Sequence, residues 1–157
     1  MNTTKIKKGF LIVAKTIFFD CDGTWIDLYG VNGWLNDLIN YNPRPYIEAK
    51  PLIHLATFAR LIHRVQNKGY RVGIISWLAK NSTKEFDMSV TEAKMTWIEK
   101  HLPSVVWDEI HIVPYGTPKS LFGSQNAILF DDEKANRENW IGIAYDEKNI
   151  FEILRAL

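Results

Sequence analysis

The chain reads as an α/β fold: a Rossmann-like parallel sheet with helices on both faces. Three observations predict this. Short apolar runs rich in β-branched and aromatic residues alternate with longer stretches at helical spacing. Several of those runs stop on a polar or acidic residue. Length and composition suit one core, with 157 residues, 46% hydrophobic and 24% charged. Alternation of this kind argues for parallel strands covered on both sides. No repeat, linker or low-complexity segment divides the chain, so one domain over 1–157 is expected.

Taken in order, Lys5, Lys7 and Lys8 precede an apolar run over 9–14 that Lys15 ends. That run is too short for an export signal or a membrane span. It reads as an edge strand or a short extension. Thr16 to Phe19 form a buried-type strand, which stops on Asp20-Cys21-Asp22-Gly23-Thr24. An aromatic-rich insertion follows at about 25–50, carrying Trp25, Tyr29, Trp34, Tyr41 and Tyr46. Within it, Trp34 to Ile39 can form a short helix with Asn32 as its N-cap. Connections this long are often binding loops. The alternative is a small apolar core that only holds the loop together.

Pro51 to Asn67 reads as a helix with Leu52, Leu55, Ala56, Ala59, Ile62 and Val65 on one face, ended by Gly69. His54 and His63 are nine residues apart and make no metal pair. Tyr70 to Ser76 is the second strand. A polar loop over Asn81 to Phe86 leads into a helix over Ser89 to His101, with Ser89 and Glu92 at capping-box spacing. Glu109 to Val113 alternates like a half-buried strand, and Pro114 to Pro118 turn the chain into Lys119. Ala127 to Phe130 is the most apolar strand and ends on Asp131-Asp132. A short helix over Glu133 to Trp140, a strand over Trp140 to Tyr145 and a helix over Glu147 to Leu157 complete the chain.

In an open α/β sheet, ligands bind beyond the carboxyl ends of the strands. Asp20, Asp22, Ser76, Lys119, Asp131 and Asp132 all fall at such ends or just after them. Crowded carboxylates repel one another unless a cation is present. An all-oxygen site with few protein ligands suits Mg²⁺ better than zinc. Lys119 adds the positive charge an anionic substrate needs. Ser76 and the backbone N–H groups of the first turn, at Cys21 and Asp22, can donate to phosphate oxygens. These parts together describe phosphoryl transfer.

Asp20-Cys21-Asp22-Gly23-Thr24 resembles the first motif of the haloacid dehalogenase superfamily of phosphohydrolases. Ser76, Lys119 and Asp131-Asp132 resemble its second, third and fourth motifs, in the same order. The resemblance implies a Rossmann-like sheet with the first strand central. It implies that Asp20 attacks phosphorus, and that Asp22 protonates the leaving oxygen and later activates water. Ser76 and Lys119 would hold the phosphoryl oxygens. Mg²⁺ would be held by Asp20, the backbone carbonyl of Asp22, and the fourth-motif pair, with Asp132 favoured over Asp131 for direct contact. The small insertion, the run Thr91 to Lys100 and the closing Phe130-Asp131-Asp132 resemble the minimal-cap 5'(3')-deoxyribonucleotidases. Ser at position 76 and Trp at position 25 depart from that type.

The expected function is therefore a Mg²⁺-dependent phosphatase acting on a small phosphomonoester, a nucleotide first of all. Trp25, Tyr29, Trp34 and Trp77 would be the aromatics that meet its base or sugar. The alternatives are a nucleic-acid-end or protein phosphatase, and a non-catalytic phosphate-binding protein on the same fold. A net charge of +1 gives no support for nucleic acid or an anionic membrane as partner. The single cysteine, Cys21, excludes an internal disulfide and suits a reducing cytoplasm. A Cys-x5-Arg phosphate loop is excluded because Asp27 stands at the arginine position.

Overall fold

The computed structural model describes residues 15–157, so the expected extension over 9–14 lies outside the described residues. Thr16–Phe19 form β1, where β-branched and aromatic residues suit a strand buried on both faces. Further along come β4 (Arg71–Trp77), β5 (Glu109–Val113), β6 (Ile128–Phe130) and β7 (Ile143–Tyr145). The five make one sheet in the order β5-β4-β1-β6-β7. Every pairing in it is parallel, with Phe18 opposite both Gly73 and Leu129. All carboxyl ends therefore open on one edge, and β1 lies at the centre. The fold is the Rossmann-like α/β arrangement that the strand–helix alternation implies.

Strand alternation sends Ile17 and Phe19 to one face and Phe18 to the other. On the first face, Phe19, Val72, Ile74 and Phe130 pack against α3 (Leu55–Asn67), α4 (Lys84–His101) and α6 (Ile150–Ala156). On the second, Phe18, Ile75 and Leu129 meet Trp140, just past α5 (Lys134–Glu138), and Phe122 at the end of a 3₁₀ turn over Lys119–Phe122. Among the described residues, no helix is long and apolar enough to cross a membrane.

Between β1 and α3 the chain makes a small insertion. It leaves through β2 (Ile26–Asp27), passes α1 (Trp34–Ile39) and α2 (Arg44–Glu48), and returns through β3 (Lys50–Pro51). β2 and β3 pair antiparallel, Ile26 opposite Pro51. Arg44 braces the unit, contacting Asp37, Glu48 and the backbone carbonyl of Asn32.

One cap and three helix starts differ from the sequence expectation, among them α6, which begins at Ile150 instead of Glu147 because a 3₁₀ turn takes up Glu147–Asn149. Gly33, in the left-handed region at φ +76°, caps α1 in place of Asn32. α3 begins at Leu55 instead of Pro51, because Pro51 is taken up by β3 and the His54 ring accepts the Thr57 N–H as the cap. Leu52 and Ala56 are accordingly exposed, while Phe58, Leu61, Ile62 and Val65 are buried. α4 begins five residues earlier than Ser89. Thr83 caps it by accepting the Phe86 N–H, with Glu85 and Asp87 favourably placed in the first turn. Ser89 lies inside the helix and donates to the Glu85 carbonyl.

Trp25 is fully buried against Phe58, Trp97 and Trp107, with ring centroids 5.4, 5.6 and 6.1 Å away. Its indole N–H has no hydrogen-bond partner among the described residues. Trp25→Ala is expected to cost about 3–5 kcal/mol in urea denaturation, as large aromatic truncations in cores do. Trp25→Phe should cost clearly less, since the ring is needed and the N–H is not. Equal losses for the two variants would show that the indole nitrogen carries a bond of its own.

Candidate active site

The polar residues at the strand ends converge where the sheet topology brings them. Asp20 follows β1 directly, and its N–H donates to the Phe130 carbonyl of β6 at 2.9 Å. Its carboxylate is nearly buried and has two partners. Lys119 Nζ donates to Oδ1 at 2.7 Å, and the Thr24 hydroxyl lies 3.0 Å from Oδ2. Lys119 also donates to Asp131 at 2.6 Å, so one buried ammonium bridges two carboxylates from adjacent strands. Asp131 has further partners in the Glu133 N–H and the Asn136 amide. Arg137 fixes this loop by donating to the carbonyls of Asp131 and Asp132.

Asp132 is freer. Its N–H donates to Thr24 Oγ1, and its Oδ1 lies 3.2 Å from the same hydroxyl. Gly23, at φ +80°, lets Asp132 and Tyr29 close over the turn. A Cβ at that position would collide with both. Carboxylate oxygens of Asp20, Asp131 and Asp132 lie within 4.8 Å of one another, a hard-oxygen cluster that suits a divalent cation.

The electrostatics follow from this crowding. Burial, then the charge of Asp20, pushes Asp131 up to about 6 against the pull of Lys119. Burial, then Asp20 and Asp131, pushes Asp132 up to about 7. For Lys119, burial acts to lower the value, but Asp20 and Asp131 outweigh it and hold the ammonium above its usual range. Burial also raises Asp22, with Lys94 acting in the opposite direction.

Lys94 is the residue the sequence reading missed. It is 2% exposed on α4 and uses all three ammonium protons. They go to Asp22 Oδ2 at 2.5 Å, Ser76 Oγ at 2.7 Å and the Trp77 carbonyl at 3.0 Å. The Tyr46 ring of α2 covers it at 5.1 Å. The available signal was a lysine four residues after Val90 and three before Trp97, on the stripe that helical spacing assigns to the core.

A cavity of about 540 Å³ opens over the site. Asp20, Asp22, Lys119 and Asp131 line its floor. Tyr29, Trp34, Leu35, Leu38 and Tyr46 of the insertion face Trp77 and Tyr115 of the body. Two expected substrate contacts, Trp25 and Ser76, do not reach it. Trp25 is enclosed in the main core. The Cys21 side chain is buried too, and burial raises its thiol well above the usual range, but the expected contact is its backbone N–H, which that burial does not touch. Ser76 is fully buried behind Lys94. Asp22, Trp77 and Lys119 do line the cavity.

No family model matches this chain, and no curated protein matches it. Among solved structures it is similar to the crystal structure of D,D-heptose 1,7-bisphosphate phosphatase from Burkholderia thailandensis. The match has 16% identity and a TM-score of 0.50, covering 79% of this chain and 70% of that one. At that identity the likeness is one of fold.

Lys94→Met leaves the Asp22 carboxylate without its cation. Breaking a buried pair from one side typically costs about 3–5 kcal/mol. Lys94→Met is therefore expected to destabilise strongly, and Lys94→Met combined with Asp22→Asn to recover a large part of the loss. A denaturation cycle over the four proteins checks this. Strict additivity of the two single losses would show that the pair is not coupled.

Proposed function

We propose that this protein is a Mg²⁺-dependent phosphohydrolase acting on a small phosphomonoester through an aspartyl-phosphate intermediate. One observation carries the reading. Asp20 stands at the end of the central strand, on the floor of a ligand-sized cavity, held between Lys119 and Thr24. Cavities of this size suit small molecules, which favours them over nucleic-acid ends or protein substrates. Membership of the haloacid dehalogenase superfamily, with 1–157 as one domain and the insertion as a minimal cap, belongs to the same reading.

Asp20 Oδ attacks phosphorus, and the bond from phosphorus to the leaving oxygen breaks. Asp22 gives that oxygen its proton; it must be protonated when substrate binds, a form that burial favours and the paired Lys94 ammonium opposes. In the second half, Asp22 takes a proton from water as it attacks the acyl phosphate. Inorganic phosphate leaves and Asp20 is regenerated. Lys119 supplies positive charge at the nucleophile, without which a carboxylate approaches a phosphate dianion poorly. Lys94 fixes Asp22 and occupies Ser76, so Ser76 supports the site from behind the cavity wall.

Asp20, Asp132 and the backbone carbonyl of Asp22 would hold Mg²⁺. Asp131, already engaged by Lys119, Asn136 and the Glu133 N–H, would orient the cluster. When bound, the ion supplies charge neutralisation at the phosphoryl oxygens. Within the phosphomonoesters, a nucleoside monophosphate is the finer reading, supported by Tyr29, Trp34, Trp77 and Tyr115 around the cavity. Base–aromatic stacking is worth about 1–3 kcal/mol per base. A reducing cytoplasm, indicated by the lone thiol, is the compartment that goes with this reading.

Asp20→Asn is expected to abolish phosphate release from an aryl phosphate while the protein stays folded. Residual turnover near wild type in a clean preparation would overturn the covalent mechanism, and intact ligand binding without turnover in wild type would leave a binding protein. Mg²⁺ is expected to raise the melting temperature, because a ligand of the folded state stabilises it by mass action. That shift should shrink in Asp132→Ala. An unchanged shift in the variant would place the ion elsewhere.

A further inference from the structure

The body side of the cavity stacks two aromatic rings, tilted at an interplanar angle of 55°, with a cation at each end. Lys119 Nζ lies 5.2 Å from the Trp77 ring, the Trp77 and Tyr115 rings are 5.0 Å apart, and Lys80 Nζ lies 5.8 Å from the Tyr115 ring. All four side chains line the same cavity. The two lysines differ in what they already hold. Lys119 is buried and paired with Asp20 and Asp131. Lys80 is exposed and forms no ion pair among the described residues. Asn81 lies next to it on the cavity wall, in the left-handed region at φ +54°. Its amide makes no hydrogen bond within the described residues.

We propose that the outer end of this stack is a second anion subsite, so that the preferred substrate is a phosphomonoester carrying a second anionic group at its far end. The inference rests on the phosphatase reading of the inner end. The reacting phosphoryl group lies by Lys119, the body of the substrate lies along Trp77 and Tyr115, and a carboxylate or second phosphate meets Lys80 and the Asn81 amide. An uncharged apolar substrate would fill the walls and leave Lys80 without a partner. The aromatic faces attract both lysines and keep the outer ammonium over the cavity. Opposite them, Leu35 and Leu38 of α1 present only hydrocarbon. Tyrosine hydroxyls, Asn136 and Glu133 also line the cavity, but Lys80 is the cation of the lining that holds no carboxylate among the described residues, so it is the place for the distal charge.

Calorimetry on the full chain carrying Asp20→Asn tests this without turnover. The probes are phenyl phosphate against 4-carboxyphenyl phosphate, and biphenyl-4-yl phosphate against its 4'-carboxylate, two lengths of the same design. In at least one pair the carboxylate should tighten binding about fivefold at low salt, the upper range for an exposed ion pair. The gain should shrink as salt rises. Adding Lys80→Gln should bring the ratio within that pair close to one. No gain in either pair, or a gain that survives Lys80→Gln, overturns the subsite. Phosphate release from the uncharged parents by the wild-type chain is measured in parallel. No release with the gain intact removes the phosphatase reading alone, and release with no gain removes the subsite alone.

Discussion

The contact on which the site depends is the buried Lys119 ammonium between Asp20 and Asp131. Carboxylates at the ends of neighbouring parallel strands lie close together because the sheet puts them there, and without a cation between them they repel. Lys119 satisfies both, and its removal would leave two buried charges facing each other. The same principle operates a second time at Lys94, which holds Asp22 from the helix side. Four carboxylates thus face two ammonium groups. The imbalance of two charges is what a divalent cation would cancel. Burial first, and the neighbouring carboxylates second, raise Asp131 and Asp132.

Much of this was legible in the sequence, and the reasons are specific. Thr16–Phe19 and Glu109–Val113 show undiluted strand patterns, and both strands form at the expected residues. Convergence of Asp20, Lys119 and Asp131 followed from one rule, that parallel strands point their carboxyl ends the same way. Helix starts were less legible because local capping chemistry competes. A histidine capped α3, and a threonine in an otherwise polar stretch capped α4 six residues before the serine that carried the capping-box pattern. Lys94 was hidden for a different reason. A charged residue on a helix is normally solvated, and only the tertiary fold supplies the carboxylate that makes its burial tolerable.

Trp25 shows where adjacency in sequence misleads. It follows the Asp20 motif directly, yet the turn at Gly23 reverses the chain and sends its ring into the main core. Asp22 and Trp25, three residues apart along the chain, therefore serve unrelated ends, one facing the cavity and the other the packed interior. The aromatics that do reach the cavity come from positions far apart in sequence, Tyr29 and Trp34 in the insertion and Tyr115 in the loop after β5. The aromatic-rich insertion and the end of β4 marked Tyr29, Trp34 and Trp77 in the sequence, whereas no local pattern marks Tyr115.

The pairing of β2 with β3 has a consequence for how such a protein can diversify. The insertion leaves and re-enters the sheet domain as neighbouring antiparallel strands, so its two ends are already side by side. Closing a longer segment across that short gap costs little extra entropy, only slightly more with each doubling of length. None of the α1 side chains is fully buried, and its bracing comes from surface ion pairs around Arg44. Segments of different length and character could be spliced between Ile26 and Pro51 while β1 and its Asp20 stay in register with β4 and β6. Selection can then change what is recognised separately from how bonds are broken.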